Sequence, residues 1–241
     1  MQPITRFSEV TIFDAKTAWE QWNLTDYRFK HECLVSVARN LEQKQPNLAA
    51  VVNYHLQHIQ SLLSEPKLMP GPTGETNELY SSGRGLAAVV VEPHLEAKDA
   101  WPAVMAQLVC ALMAGNGVIL CCDDIELNQQ LEAAISGVLP AHLVHIVAYD
   151  SYQQVLNSDV RIVASVGSEQ TVAKINRLLA NKLGVIVPLV SEVIEPDSIT
   201  NTLIAAHDPS LVLRFITERT RTINITAIGG NATLLELGNQ H

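Results

Sequence analysis

Apolar positions along this chain follow three rhythms. Near the N-terminus they recur at helical spacing. Phe29, Cys33, Leu34, Val37, Ala38 and Leu41 line one face of a helix running to about Gln43, which Thr25 or Asp26 can cap. Pro46-Asn47 restarts a second helix, with Leu48, Val51, Val52, Leu56, Ile59, Leu62 and Leu63 apolar, and Pro66 ends it. In the middle of the chain, continuous apolar runs alternate with amphipathic segments. Toward the end, TERTRTINIT (217–226) alternates residue by residue, as a half-exposed strand does. Gly229-Gly230-Asn231 then turns the chain toward a hairpin partner at 232–237.

The middle region predicts the fold. Leu86–Val91 follows a Gly83-Arg84-Gly85 turn and reads as a buried strand. A helix over 101–114 is expected to hold Pro102 in its first turn, where no N–H is needed, and to stop at Gly115 and Asn116. Residues 117–122 form a second apolar run. Strands joined by a helix pair in parallel and are buried on both faces. The pattern continues with a helix over 125–138, a strand over 143–148, a short helix over 152–157 and a strand over 160–165. Gly167-Ser168 opens a helix over 169–181, and Gly184 restarts the chain into a fifth strand over 185–190. The expected fold is α/β, a Rossmann-like, doubly wound, five-stranded parallel sheet. Around it stand a helical N-terminal region and a projecting β-flap built from an arm and the C-terminal hairpin. The expected divisions are 1–66 (helical), 67–85 (arm, with an exposed strand at 75–81), 86–192 (Rossmann-like), 193–216 (helical connection, with a helix near 198–206) and 217–241 (flap). A terminal hairpin has an unpaired edge, so a partner chain or the arm is expected to cover it.

Composition narrows the function. With 241 residues and 47% hydrophobic positions the chain can bury a sizeable core. A net charge of −9 argues against nucleic acid as a partner. No apolar run is long enough to span a bilayer, and the first residues lack a signal-peptide pattern. Cys33, Cys110, Cys121 and Cys122 lie inside helices or strands, and two of them are adjacent. They read as small core hydrophobes of a cytoplasmic protein.

Four stretches carry a resemblance. These are PGPTGETNELY (70–80) with GRG (83–85), QLVCALMAGNGVIL (107–120), the segment 166–190 with GSEQTVAKINRLLA and IVPLV, and RTRTINITAIGGNATLLELG (219–238). In their order they resemble the aldehyde dehydrogenase superfamily. More narrowly, they resemble the pyrroline-5-carboxylate (glutamate-semialdehyde) dehydrogenase module of bifunctional proline-utilisation proteins. In that family the fifth strand leads through Glu-x-Gly-Gly into a domain bearing the nucleophilic cysteine. Here Val193-Ile194-Glu195-Pro196 follows Glu192, and the flap begins about thirty residues on. This layout resembles the catalytically silent C-terminal domain of the longer proline-utilisation proteins. The resemblance implies no catalytic residue and no required cofactor. It also implies a chain that self-associates, or docks through its flap on a proline-catabolic dehydrogenase.

Each candidate site residue also has a bland reading. Gly167 and Ser168 are the best-preserved cofactor element, because free N–H groups at a helix start attract anions. The alternative there is a tight turn and N-cap, and Glu169 works against an anion. Asp123 follows the second strand, where a carboxylate can hold ribose hydroxyls of NAD(P); Asp123 or Asp124 can equally cap the next helix. In the loop after the first strand the family's Pro-Trp-Asn gives way to Glu92-Pro93-His94-Leu95 without the Asn donor, and His94 reads as a hydrogen-bonding group or a surface histidine. Glu192 aligns with the family's general base and reads here as a solvated residue after a strand. His55 and His58 share a helix face, while His142 and His145 are expected on opposite sides of a strand. The flap offers Arg219, Arg221, Asn224, Gly229, Gly230 and Asn231 for partner contact.

Overall fold

The computed structural model describes residues 9–72, 74–195 and 203–224. Three helices open the chain: α1 (Glu9–Leu24), α2 (Tyr27–Glu42) and α3 (Pro46–Leu63). The Asp26 carboxylate accepts from Phe29 N–H, so Asp26 is the cap of α2, and Pro46 sits at the first turn of α3. The arm follows as β1 (Lys67–Met69) and β2 (Glu75–Gly83). Then come β3 (Leu86–Val91), α4 (Ala97–Met113), β4 (Gly117–Cys121), α5 (Ile125–Ile135), β5 (Val144–Val147), α6 (Tyr152–Asn157), β6 (Val160–Gly167), α7 (Glu169–Ala180) and β7 (Leu189–Val193). The tail adds α8 (Ile204–His207) and β8 (Ile216–Asn224).

The five parallel strands stand in the order β5-β4-β3-β6-β7, so the chain starts at the centre and winds out both ways. That is the doubly wound order, with its switch point between β3 and β6. Every residue of β3 and β4 is buried, as continuous apolar runs require. On one face, Ala87, Val89, Leu120 and Ile162 pack with α2 to α5 and the tail. On the other, Ala88, Val90, Ile119 and Val163 pack with Ala15 of α1, Val155 of α6 and Ile175 of α7. Helices on both faces of a parallel sheet make three layers.

The second sheet is the flap, in the order β1-β2-β8 and antiparallel. Its main pairing runs the full length of both long strands, from Glu75 opposite Asn224 to Gly83 opposite Ile216. The arm therefore covers one edge of β8. The hairpin turn at Gly229, Gly230 and Asn231, its return strand and most of the expected helix near 198–206 lie outside the described residues.

A buried amide ties flap to core. Asn116 is fully buried. Its Oδ1 accepts from Arg84 and Gly85 N–H, and its Nδ2 donates to the carbonyls of Ala111 and Phe215. All four hydrogen-bonding positions of the side chain are used. Gly83 makes this approach possible, since a Cβ there would lie 2.3 Å from the Gly115 carbonyl oxygen. Gly115 itself, at φ +92°, supplies the expected left-handed stop of α4.

Three expectations need correction. Helix α4 begins before Trp101, so Pro102 lies inside it and costs one intrahelical bond rather than sitting in the first turn. The fifth strand is Leu189–Val193, not 185–190. Val185 and Ile186 have the apolar composition of a strand but form no ladder pairs and are exposed; the pairing with β6 begins after Pro188, which has no N–H to give. His142 and His145 do not face opposite sides. His142 takes φ +65° in the turn before β5, and its ring stacks on that of His145 with centroids 5.3 Å apart. The strand rule does not reach a residue outside the strand.

Candidate functional site

The carboxyl ends of β3 and β4 border a cleft of about 250 Å³. It is lined by Val91 to Leu95, Ala100, Trp101, Cys122, Asp123, Asp124 and Leu127. In a doubly wound sheet this is where ligands bind. The loop after β3 turns at His94, with φ +66°, and keeps that side chain exposed.

The two aspartates after β4 are committed to the scaffold. Asp124 caps α5, accepting from Leu127 N–H at 2.9 Å, and its second oxygen accepts from Trp101 Nε1–H at 2.7 Å. Asp123 accepts from Tyr149 N–H at 2.9 Å. Both are therefore helix- and loop-ordering acceptors in this structure.

Gly167 and Ser168 lie across the switch point. Ser168 is the N-cap of α7, accepting from Thr171 N–H at 3.3 Å. Its own N–H and hydroxyl both donate to the carboxylate of Glu92, the hydroxyl at 3.1 Å. A carboxylate of this chain thus takes the place where the helix start would receive an anion. Gly167 is required for that contact: a Cβ there would lie 2.6 Å from Glu92 Oε2. The sequence shows Glu92 only as one residue of a loop. Its partner is 76 positions away, and no local pattern announces it.

Glu192 is not solvated, contrary to expectation. It is 2% exposed and accepts from the N–H groups of Ile204, Ala205 and Ala206, at 2.9, 2.6 and 3.2 Å. Burial raises its pKa, and the three backbone N–H groups oppose that rise. The connection continues beyond α8. The Ala206 carbonyl lies 3.1 Å from His55 Nε2, and His55 Nδ1 lies 3.5 Å from the Cys110 thiol. A carbonyl can only accept, so Nε2 carries the proton and Nδ1 faces the S–H as acceptor. Burial lowers the His55 pKa to about 4 and pushes the Cys110 thiol up, so imidazole and thiol are both neutral. His58 takes no part in this chain and packs on Tyr54.

The thiols fit the expected structural role. Cys110, Cys121 and Cys122 are buried and Cys33 is partly buried, and all four are unbridged. Burial pushes the Cys122 thiol, which lines the cleft, up to about 12. A nucleophilic cysteine needs the opposite shift. Among the described residues no group of three His, Cys, Asp or Glu could hold a metal ion, and no helix is long and apolar enough to cross a membrane.

On the flap, Arg219, Arg221 and Asn224 stand on the exposed part of β8. Arg221 pairs with Glu78 of β2, and its guanidinium lies 5.9 Å from the centre of the Tyr80 ring.

No family model matches the chain, and no curated protein does. Solved structures do. A proline utilization A (PutA) with proline bound in remote sites is 23% identical with a TM-score of 0.69, over 79% of this chain and 22% of that one. A variant of Bradyrhizobium japonicum proline utilization A gives 0.67 at 23% identity, with the same coverage. PnpE from Pseudomonas sp. WBC-3 gives 0.63 at 17% identity, over 77% of this chain and 42% of that one. The chain therefore spans about a fifth of the length of the proline utilization proteins it matches. Over some four-fifths of its own length it shares its fold with the matched parts of these proteins.

Proposed function

We propose that this chain is a non-catalytic aldehyde-dehydrogenase-like module that works through its β-flap. It self-associates, or docks on a proline-catabolic pyrroline-5-carboxylate dehydrogenase and covers or organises that enzyme's active site. The observation that carries this reading is the fate of the two catalytic-end carboxylates. Glu192, aligned with a general base, is consumed by three backbone N–H groups, and Glu92 fills the anion position of α7. General-base catalysis needs a carboxylate within reach of a proton on substrate, and a thiolate route needs a cysteine that burial does not hold protonated. The flap supports the second half of the proposal. Beyond its pairing with β2, β8 carries a mostly exposed strand with two arginines, the kind of edge that adds strands or binds acidic partners.

Two measurements test the reading. Deleting residues 219–241 is expected to lower the mass on light scattering, or to abolish co-purification with a proline-catabolic dehydrogenase; an unchanged mass and partner profile would count against the flap. Calorimetric titration with NAD, alongside an assay of glutamate-semialdehyde oxidation, is expected to show neither binding nor turnover. Turnover by the purified chain would establish the competing reading, an NAD(P)-binding oxidoreductase.

A further inference from the structure

We propose that a cavity at the root of the flap binds a small free carboxylate, held there as the counter-ion of Lys30. The site is separate from the cleft at the strand ends and from the exposed face of β8. It therefore goes beyond the reading above and stands or falls apart from it.

Three observations carry it. The first is the cavity, about 110 Å³, where the end of α1, the start of α2, β2 and the end of α4 meet. Asn23, Thr25, Tyr27, Lys30, Ser81 and Ser82 line it together with three apolar residues, so its wall holds one cation and no carboxylate. Gly115 makes the room. A Cβ there would lie 2.8 Å from Asn23 Oδ1 and 3.6 Å from Lys30 Cε.

The second observation is Lys30 itself. It is only 6% exposed, and a lysine is almost never so buried without a paired carboxylate. Among the described residues no Asp or Glu comes within ion-pair distance of it. Its ammonium donates to the Thr25 carbonyl, just past the carboxyl end of α1, and lies 5.8 Å from the centre of the Trp22 ring. Those contacts use one of three N–H groups and steady the charge without neutralising it. Burial lowers the Lys30 pKa to about 8, and the charge of Asp26 opposes that shift only in part. The Asp26 carboxylate is itself engaged at the start of α2, where it accepts from Phe29 N–H.

The third observation is the neighbouring amide. Asn23 Oδ1 accepts from Gly83 N–H at 3.0 Å and from the Ser82 hydroxyl at 3.2 Å. The Gly83 N–H fixes the amide's orientation, since only the oxygen accepts, and the Asn23 NH2 is left with no partner among the described residues. The Thr25 hydroxyl donates elsewhere, to the Trp22 carbonyl. The donors still unspent in this wall belong to Lys30 and Asn23. A carboxylate, which only accepts, complements them in charge and in hydrogen bonding. The volume is about four times the share of one liquid water, which suits an acid of a few heavy atoms. Because β2 supplies Ser81 and Ser82 while α1 and α2 supply Asn23 and Lys30, an occupied site joins the arm of the flap to the helical region.

The test uses the full chain and sodium acetate, with sodium chloride at equal ionic strength as the control. NMR follows the Lys30 ε-methylene signal through a pH titration, and the Asn23 and Ser82 amide signals at fixed pH. Acetate is expected to saturate at millimolar concentration, to move both amides, and to raise the Lys30 midpoint by about one unit, as an opposite charge in contact does. Chloride is expected to do none of this. Lys30→Met, which keeps an unbranched stem and drops the charge, is expected to fold and to lose the acetate response. A Lys30 midpoint that acetate leaves unmoved would overturn the proposal, as would an equal response to chloride or a full acetate response in Lys30→Met. If Lys30→Met fails to fold, the titration of the native chain decides alone. None of these results bears on the deletion of residues 219–241, so a failure here is distinct from a failure of the flap reading.

Discussion

Glu92 leaves β3 and Glu192 lies within β7, and each carboxylate accepts from backbone N–H groups at the start of a helix. Their settings differ. Glu192 is sealed beneath α8, and its hydrogen-bonded chain extends through the Ala206 carbonyl to His55 and Cys110. Glu92 is only partly buried, at the rim of an open cleft, and has one helix start to satisfy. The same pairing is therefore structural in one place and exchangeable in the other. Solvent decides between them: a buried N–H left without an acceptor cannot turn to water, whereas one at a rim can.

The largest expected effect separates the two most sharply. Glu192→Ala orphans three helix-start N–H groups, two of them buried, and should cost about 4 kcal/mol of stability in urea unfolding. A loss below about 1 kcal/mol would erase the distinction from Glu92. Next comes acid. His55 is held neutral, with its pKa lowered to about 4, so only the unfolded chain binds a proton there between about pH 6.5 and 4. Stability from this group is complete above pH 6.5 and falls by about 3 kcal/mol as pH drops through that window. The raised pKa of Glu192 works the other way: its protonation in the folded state regains stability as pH falls below its folded pKa toward the ordinary carboxylate range. Stability measured against pH in a His55→Gln variant should lose the acid-side decline and uncover that opposing rise. Glu192→Gln is smaller, about 1–2 kcal/mol at neutral pH by urea unfolding, because an amide oxygen still accepts while its NH2 meets a donor. Smallest is Glu92→Gln, expected to shift the unfolding midpoint by less than about 1 kcal/mol. A larger loss would make the rim carboxylate as structural as the buried one.

The same contrast explains what was legible in the sequence. Strands, crossovers and caps follow from local pattern, and Leu86–Val91, Asp26 and Ser168 behave as their neighbours dictate. The pairing of the arm with β8 was foreseeable as cover for an edge. What escaped is set by distance along the chain. The donors to Glu192 lie 12 to 14 positions on, in the tail, and the partner of Glu92 lies 76 positions away. Val185 and Ile186 misled because apolar composition does not say where a ladder begins, and here it begins only after Pro188. α1 has apolar residues on both of its flanks, Trp22 packing with one core cluster and Ala15 with the other, so no single stripe marks it.

The register of the flap has a consequence for how the molecule assembles. Glu75 is made well before its partner Asn224, with the whole parallel sheet between them. The long antiparallel ladder is thus a contact of very high sequence separation, and its closure waits on everything it encloses. Until then the edge of β2 that β8 takes is bare, while β1 covers three residues of the other edge. An element made only after the parallel sheet removes this hazard, and a nascent chain arrested before residue 216 would carry the arm's edge unpaired into the cell.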